Sequence, residues 1–380
     1  MTVINGLVFT EEGTFESLTV MTEGDRITKT GKDLPPEGEV FDAAGCYVLP
    51  GLTDVHFHGC MGHDFCDGTI EALDAIAEYQ FGQGVTCICP ATMTLPDSRL
   101  CVILKNAAEY RRSVSRPDRA ELVGVHLEGP FINRERKGAQ NAEYIQTADA
   151  EKLRRWQDCA EGLVKLVTIA PETENALGCI RECRREFRFS VGHTNADCLT
   201  AAEAFRAGAD HVTHLFNAMP HFGHRETGVV GAALDEGNCF VELICDGVHI
   251  SPTMVRAVFR LFGDDRVVLI SDSMEAAGMP DGSYSLGGQR VDVRGSLAVL
   301  ADGGTNTVPT IAGSVTSLYK CMLTAVSMGI PLESAVRAAA VNPCRSIGIY
   351  DEYGSIAVGK RANFLVLDKT DLSIRAVIKG

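Results

Sequence analysis

Through the middle of the chain, apolar and β-branched runs of strand length recur at Val48–Val55, Val85–Cys89, Leu122–Leu127, Val164–Ile169, Phe187–Val191, His211–Leu215, Phe240–Cys245 and Val267–Ile270. Near-continuous apolar strands of this kind predict parallel strands buried on both faces. Helix-like stretches separate most of them. The clearest is the stripe Ile70, Leu73, Ile76, Ala77 and Phe81, closed by Gly82 and Gly84. Roughly eight such units predict an α/β fold, a (β/α)8 TIM-like barrel rather than an open doubly wound sheet. An open sheet would carry a Gly-rich phosphate turn after its first strand. Here that turn reads PGLTDVHFHG.

The two ends of the chain follow another pattern. Val3 to Phe9, Leu18 to Met21, Arg26 to Thr28 and Glu39 to Asp42 read as short strands punctuated by Gly and Pro, with no helical period. The last residues, SIAVGKRANFLVLDKTDLSIRAVIKG, also give strands and no helix. A small β-sandwich domain built from both termini, 1–50 and 355–380, is therefore predicted beside a metal-dependent catalytic barrel at 51–354. Asp281 to Thr307, rich in Gly and Asp with alternating strands, predicts a β excursion before the final helices.

Charge narrows the partners. Lys plus Arg total 35 against 50 Asp plus Glu, so the formal net charge is 35 − 50 = −15. Nucleic acid and anionic membranes both need a basic footprint, and neither is expected. A phosphorylated small molecule stays open, because one local Arg and a few backbone N–H groups can hold it. No apolar run approaches the ~18 residues of a membrane helix. The start, MTVINGLVFTEEG, lacks the basic and apolar regions of a signal peptide. The 14 Cys contain no C-x-x-C, and Cys87, Cys89, Cys239 and Cys245 lie inside apolar runs. Reduced, buried thiols in a cytoplasmic protein are the expectation.

Chemistry enters at the strand ends. His56, His58, Glu128, His193, His214, His249 and Asp272 fall at or just past the C-terminal ends of successive predicted strands, the rim where a barrel keeps its active site. Alternation along a strand puts both imidazoles of His56-x-His58 on one face. A single strand histidine is more often a packed or surface residue than a ligand. The recurrence of ligand types at strand end after strand end is what makes a metal site the reading. His56, His58, Glu128, His193, His214 and Asp272 offer four imidazoles and two carboxylates. That exceeds the needs of one tetrahedral ion with an open position and suits two divalent ions bridged by a carboxylate. Zn, Fe, Mn and Co suit these donors alike. His63, His126, His211, His221 and His224 fail the strand-end test or lack a partner, and read as structural or surface residues. His126, on the Glu128 face of its strand, also fits a supporting role behind the ligands.

The same residues carry a resemblance. FDAAGCYVLPGLTDVHFHG resembles the entry to the barrel in the amidohydrolase superfamily, and GSIAVGKRANFLVLD its C-terminal return. More narrowly, HLEGPF, KGA, SVGHT, THLFNAMP, the Arg of HRETGVVGAAL, ICDGVHI and ISDSM together resemble the N-acetylglucosamine-6-phosphate deacetylase family, across essentially the whole chain. The resemblance implies hydrolysis of N-acetyl-D-glucosamine 6-phosphate to D-glucosamine 6-phosphate and acetate, in amino-sugar catabolism. It implies one or two divalent metal ions (Zn, Fe, Mn or Co) and a homodimer in which the neighbouring subunit contacts the phosphate.

Residue by residue, it implies Glu128, His193 and His214 as the common metal ligands. His56 and His58 would complete a second position, with Glu128 bridging. Asp272 would be the catalytic acid–base and also touch a metal. Asn217 and Ala218 would hold the sugar phosphate, and Arg225 would bind it as a bidentate guanidinium. His249 would contact the acetamide carbonyl or a ring hydroxyl, and Ile311, Ala312 and Gly313 would close over the acetyl group. Ala139 and Gln140 would line the substrate. Gln140 stands where the family has His, which implies a sugar-hydroxyl contact without the charge.

Three alternatives accompany this reading. The galactosamine epimer differs at one hydroxyl, and no residue here decides against it. A cyclic-amide hydrolase of the dihydroorotase kind would bridge its metals with a carboxylated Lys, and no Lys falls where Glu128 stands. A scaffold that has lost its metal would have lost ligands, and none is missing.

Overall fold

The computed structural model of the protein describes residues 1–114, 116–301 and 310–380. At its centre is a parallel seven-stranded sheet in the order Ala91–Thr92, Val125–Glu128, Val164–Ile169, Arg188–Val191, His211–Val212, Phe240–Ile244 and Val267–Ile270. A second parallel sheet joins Leu52–Asp54, Val85–Ile88 and Glu121–Leu122. Two chain segments serve both sheets, each interrupted in the middle, at Pro90 and at Gly124. Proline has no N–H to give the ladder. At the opposite margin, Asp272 N–H donates to the His56 carbonyl (2.9 Å) and His58 N–H to the Ser273 carbonyl (2.7 Å). The end of the last strand is thereby tied to the segment after the first.

Helices alternate with these strands as the periodicity predicts. Ile70–Gly82 is capped by the Thr69 hydroxyl, which accepts from Ala72 N–H, and buries Ala72, Leu73, Ile76 and Ala77. Helix Ala150–Cys159 carries Trp156, fully buried and stacked on Phe131 with ring centroids 5.5 Å apart. Its indole N–H donates to Asp97, at the start of helix Asp97–Ser113 (2.6 Å). Phe131 lies three residues past Glu128, so this packing anchors the loop that leaves the site.

The termini form two further sheets. One runs Ile374–Ile378, Phe364–Asp368, Cys46–Pro50, Leu7–Phe9, Phe15–Ser17; the other runs Arg26–Gly31, Thr19–Glu23, Thr2–Ile4, Val40–Asp42. Val3, Val20, Ile27, Val48, Phe364 and Val366 pack in an apolar cluster of their own. Three predicted strands are split, Leu122–Leu127 at the Gly124 interruption. Val48–Val55 becomes Cys46–Pro50 in a terminal sheet and Leu52–Asp54 in a central one. The joint is Gly51, where a Cβ would meet the Thr86 hydroxyl at 2.2 Å, so only glycine lets the backbone pass. Val3 to Phe9 breaks at Asn5, whose φ is 62°. The β excursion is an antiparallel sheet of Gly282–Leu286, Gln289–Arg294 and Leu297–Leu300; residues 302–307 of that expectation lie outside the described residues. Among the described residues, no helix is long and apolar enough to cross a membrane.

Candidate metal centre and active site

Three site residues stand two positions beyond a strand end in left-handed backbone: His193 (φ 47°), His214 (φ 28°) and Asp272 (φ 47°). Non-glycine residues rarely hold this conformation, and it persists only where the surroundings impose it. The turn brings each side chain back over the end of the sheet. Glu128 closes its own strand, and His56 and His58 follow Leu52–Asp54 with Phe57 buried between them.

The structure brings all six predicted ligands together, and all six are buried. Nε2 of His56, His193 and His214 lies 3.2, 3.1 and 3.2 Å from Glu128 Oε1. His58 Nε2 lies 3.2 Å from Glu128 Oε2 and 3.4 Å from Asp272 Oδ1, which is 3.7 Å from His56 Nε2. Nε2 of His193 and of His214 are 3.0 Å apart.

Tautomers decide what this crowding means. His193 Nδ1 lies 2.8 Å from the Arg136 carbonyl, which can only accept, so Nδ1 carries the hydrogen and Nε2 presents a bare lone pair. His56 Nδ1 faces the Glu242 carboxylate at 2.8 Å, with the same consequence. His56 Nε2 is accordingly a buried nitrogen without a hydrogen-bond partner. Where the lone pairs of His56 and His193 meet the Glu128 carboxylate oxygens they repel one another, and a cation among them removes the repulsion. The donors form two triads, Glu128–His193–His214 and His56–His58–Asp272, which fit one or two divalent ions.

The local field agrees. Burial pushes the Glu128 carboxyl up, but the adjoining imidazoles of His56, His193 and His214 hold it well below the usual range. Burial likewise opposes the Asp272 anion, yet the bond from His58 and the fields of His56 and His58 leave its carboxyl lowered. Burial lowers the His58 imidazole, and bonds to Asp272 and Glu128 more than reverse this, to about 10. Surroundings that keep two buried carboxylates ionised and raise an imidazole favour positive charge.

Beneath the ligands lies a polar layer that sequence reasoning missed. Glu242, fully buried, accepts from His56 and from the His214 backbone N–H (3.0 Å). His211, read as structural, is buried with Nε2 3.2 Å from Glu242 Oε1. His126 sits behind the ligands as anticipated: its ring packs edge-on to His56 at 4.5 Å and its Nε2 bonds Thr168 (2.7 Å). Burial, with help from His56, lowers His126 to about 3 and so keeps it neutral. The available signal for Glu242 was a lone carboxylate inside an otherwise apolar strand.

Gln140 is held by protein partners on both sides. Its amide N–H donates to Glu128 Oε2 (2.7 Å) and its oxygen accepts from Thr94 N–H (2.6 Å). Both ends are engaged by protein, so it orients Glu128 from the cavity wall. Gln140→Ala is expected to lower stability by about 1–3 kcal/mol, the cost of stranding buried partners; thermal unfolding measures it, and an unchanged midpoint contradicts the role.

Above the ligands opens a cavity of about 800 Å³. His58, Glu128, His193, His214, His249 and Asp272 line it, with Ala139, Gln140, Asn217, Ala218, Ile311 and Gly313. His249 is anchored through Nδ1 to Asp246 (2.8 Å). Ala312 is fully buried behind its neighbours and does not line the cavity. Nor does Arg225, which is exposed. The wall's basic groups are instead Arg134, Arg136, Lys137 and His221, the last read from sequence as a structural or surface residue. His224 is exposed and His63 half-buried.

The chain is similar to known proteins along most of its length. Residues 47–380 match the Amidohydrolase family. The N-acetylglucosamine-6-phosphate deacetylase of Bacillus subtilis (strain 168) is 36% identical over 91% of this chain and 87% of its own. The N-acetylgalactosamine-6-phosphate deacetylase of Escherichia coli O157:H7 is 34% identical over 84% of this chain and 83% of its own. A solved structure of a mutant N-acetyl-D-glucosamine-6-phosphate deacetylase from Mycobacterium smegmatis, in complex with N-acetyl-D-glucosamine-6-phosphate, superposes with a TM-score of 0.90. It is 32% identical and covers 100% of this chain and 97% of that one.

Proposed function

The chain belongs to the amidohydrolase family, and from that premise we propose that it hydrolyses the acetamido group of N-acetyl-D-glucosamine 6-phosphate, yielding D-glucosamine 6-phosphate and acetate in amino-sugar catabolism. The observation that carries the reading is the convergence of four histidines and two carboxylates at the floor of a cavity that can take a sugar phosphate. Glu128, His193 and His214 would hold one divalent ion (Zn, Fe, Mn or Co), and His56, His58 and Asp272 a second, with Glu128 shared. A divalent ion in such a site supplies hydroxide near neutral pH by lowering the pKa of water to about 7.

The chain's own residues do the rest. Asp272 opens onto the cavity and, as an ionised carboxylate, takes a proton from the attacking water; it then delivers that proton to the leaving sugar nitrogen. His249, fixed through Nδ1 by Asp246, contacts the acetamide carbonyl or a ring hydroxyl. Asn217 and Ala218 hold the phosphate end, and Ile311 and Gly313 cover the acetyl group. Arg225 lies outside its own cavity, which supports assigning it to the phosphate in the partner subunit of a homodimer.

The architecture belongs to the same reading. The bonds from Asp272 N–H to His56 and from His58 N–H to Ser273 support closure into a (β/α)8 barrel at 51–354. The separate apolar cluster supports a small β-sandwich domain at 1–50 and 355–380. The acidic balance and the buried thiols support a cytoplasmic setting.

The galactosamine epimer is a second reading, favoured by the 34% identity to an enzyme named for it. Acetate release from both 6-phosphorylated N-acetylhexosamines, with defined metals added, separates the two. Faster turnover of the galactosamine substrate would reverse the assignment, and no release from either would refute the reaction. Arg225→Ala is expected to raise KM for the phosphorylated sugar about 10–100-fold, the value of one charge-assisted hydrogen bond. An equal change with the unphosphorylated sugar would mean that Arg225 does not read the phosphate.

A further inference from the structure

Strand Phe240–Ile244 is apolar and buried except for one carboxylate. A fully buried anion is costly unless its neighbours compensate it, and for Glu242 these are His56, His211 and the His214 backbone N–H. Oε2 accepts from His56 Nδ1–H at 2.8 Å and from His214 N–H at 3.0 Å. The Glu242 main-chain carbonyl accepts from Leu215 N–H at 2.9 Å. One residue thus clasps both His56 and the left-handed turn that presents His214.

We infer that Glu242 is a positioning residue: its carboxylate fixes the His56 imidazole as the tautomer whose bare Nε2 faces Glu128, and thereby sets the divalent-ion affinity of the His56–His58–Asp272 position. The inference rests on the metal-dependent reading above. An imidazole has one hydrogen to place when neutral. With Glu242 present, that hydrogen sits on Nδ1, 2.8 Å from an acceptor, and Nε2 is free to bind a cation. Without the carboxylate, the hydrogen can move to Nε2 and bond Glu128 Oε1, 3.2 Å away, so that the lone pair points away from the site. His126 makes no hydrogen bond to His56; its Nε2 bonds Thr168 at 2.7 Å. His211 Nε2 lies 3.2 Å from the other oxygen, Oε1, and leaves Oε2 to His56 and His214. His56, His126 and Glu242 lie close enough to suggest a further ion. The single lone pair of His56 is already committed toward Glu128, so the cluster supports the site above it rather than forming another.

The test is a competition titration of the metal-stripped full-length protein with Zn²⁺ against a colorimetric chelator. Four forms are compared: wild type, Glu242→Gln, His56→Ala and the double variant. Removing such a supporting partner costs about 10–100-fold in metal affinity, so Glu242→Gln is expected to weaken one class of zinc site by that factor. If Glu242 acts through His56, the same substitution made on His56→Ala changes the affinity less than about 2-fold, the non-additivity of a shared pathway. Wild-type affinity in Glu242→Gln, or an equal loss in both backgrounds, overturns the inference. A wild-type protein that binds no zinc would instead refute the metal reading itself. Should Glu242→Gln fail to fold, the zinc-loaded wild type with ¹⁵N-labelled histidine decides, with the His56 signal assigned by its loss in His56→Ala. The expected result is a hydrogen on Nδ1 of His56, and a hydrogen on Nε2 overturns the inference.

Discussion

Asp272→Asn is expected to lower kcat by at least ~10³-fold while thermal stability and the content of the ion assigned to Glu128, His193 and His214 remain close to wild type. The amide preserves the size and planarity of the carboxyl group, and Asp272 stands at the cavity floor with Oδ1 3.4 Å from His58 Nε2 and 3.7 Å from His56 Nε2. It loses the one property the reaction needs there, a group that takes a proton from water and returns it to nitrogen. The carboxyl titrates below its ordinary value because the bond from His58 and the nearby imidazoles outweigh burial. At neutral pH it is therefore ionised and competent as the initial base. Acetate release, metal content and melting should be measured on the same preparation. Turnover near wild type would remove Asp272 from the mechanism, whereas loss of metal along with activity would make it a ligand first.

Stripping the protein of divalent ions is expected to have the second large effect. Prolonged exposure to a strong chelator should reduce acetate release to below about 1% of its starting rate, the scale of losing a catalytic component. Added Zn²⁺, Mn²⁺, Fe²⁺ or Co²⁺ should restore it. Melting should respond in the same direction. An ion present at 1,000 times its Kd stabilises the folded state by about 4 kcal/mol, and its removal also exposes the repulsion among His56, His193, His214 and Glu128. His193→Ala should resemble the chelated enzyme without being rescued by added metal. Full activity after verified removal of all divalent ions would refute the metal-dependent reading.

Sequence carried the central strands and the convergence of the candidate ligands for a simple physical reason. Strands buried on both faces are almost wholly apolar, so His56, Glu128, His193, His214 and Asp272 at their ends stood against a plain background. The supporting residues had no such contrast. Glu242 reaches His56 across 186 positions of sequence, and its meaning depends on which strands neighbour each other. The orientation of Gln140 toward Glu128 and Thr94 at the cavity wall is a choice of side-chain direction that composition does not record. Arg225 and Ala312 matched motifs, yet the fold places one on the surface and the other behind the wall. The division of Val48–Val55 between two sheets turned on the bulk of Thr86 against Gly51, a contact between residues far from each other along the chain.

The pairing of Cys46–Pro50 with Phe364–Asp368 sets a constraint on biosynthesis. Strand Cys46–Pro50 leads directly into the segment bearing His56 and His58, yet one of its edges stays open until nearly the whole polypeptide has left the ribosome. Antiparallel pairing over so long a separation is slow to form. Prematurely terminated products would display the unpaired edge around Val48 and Leu49, a target for proteases and chaperones.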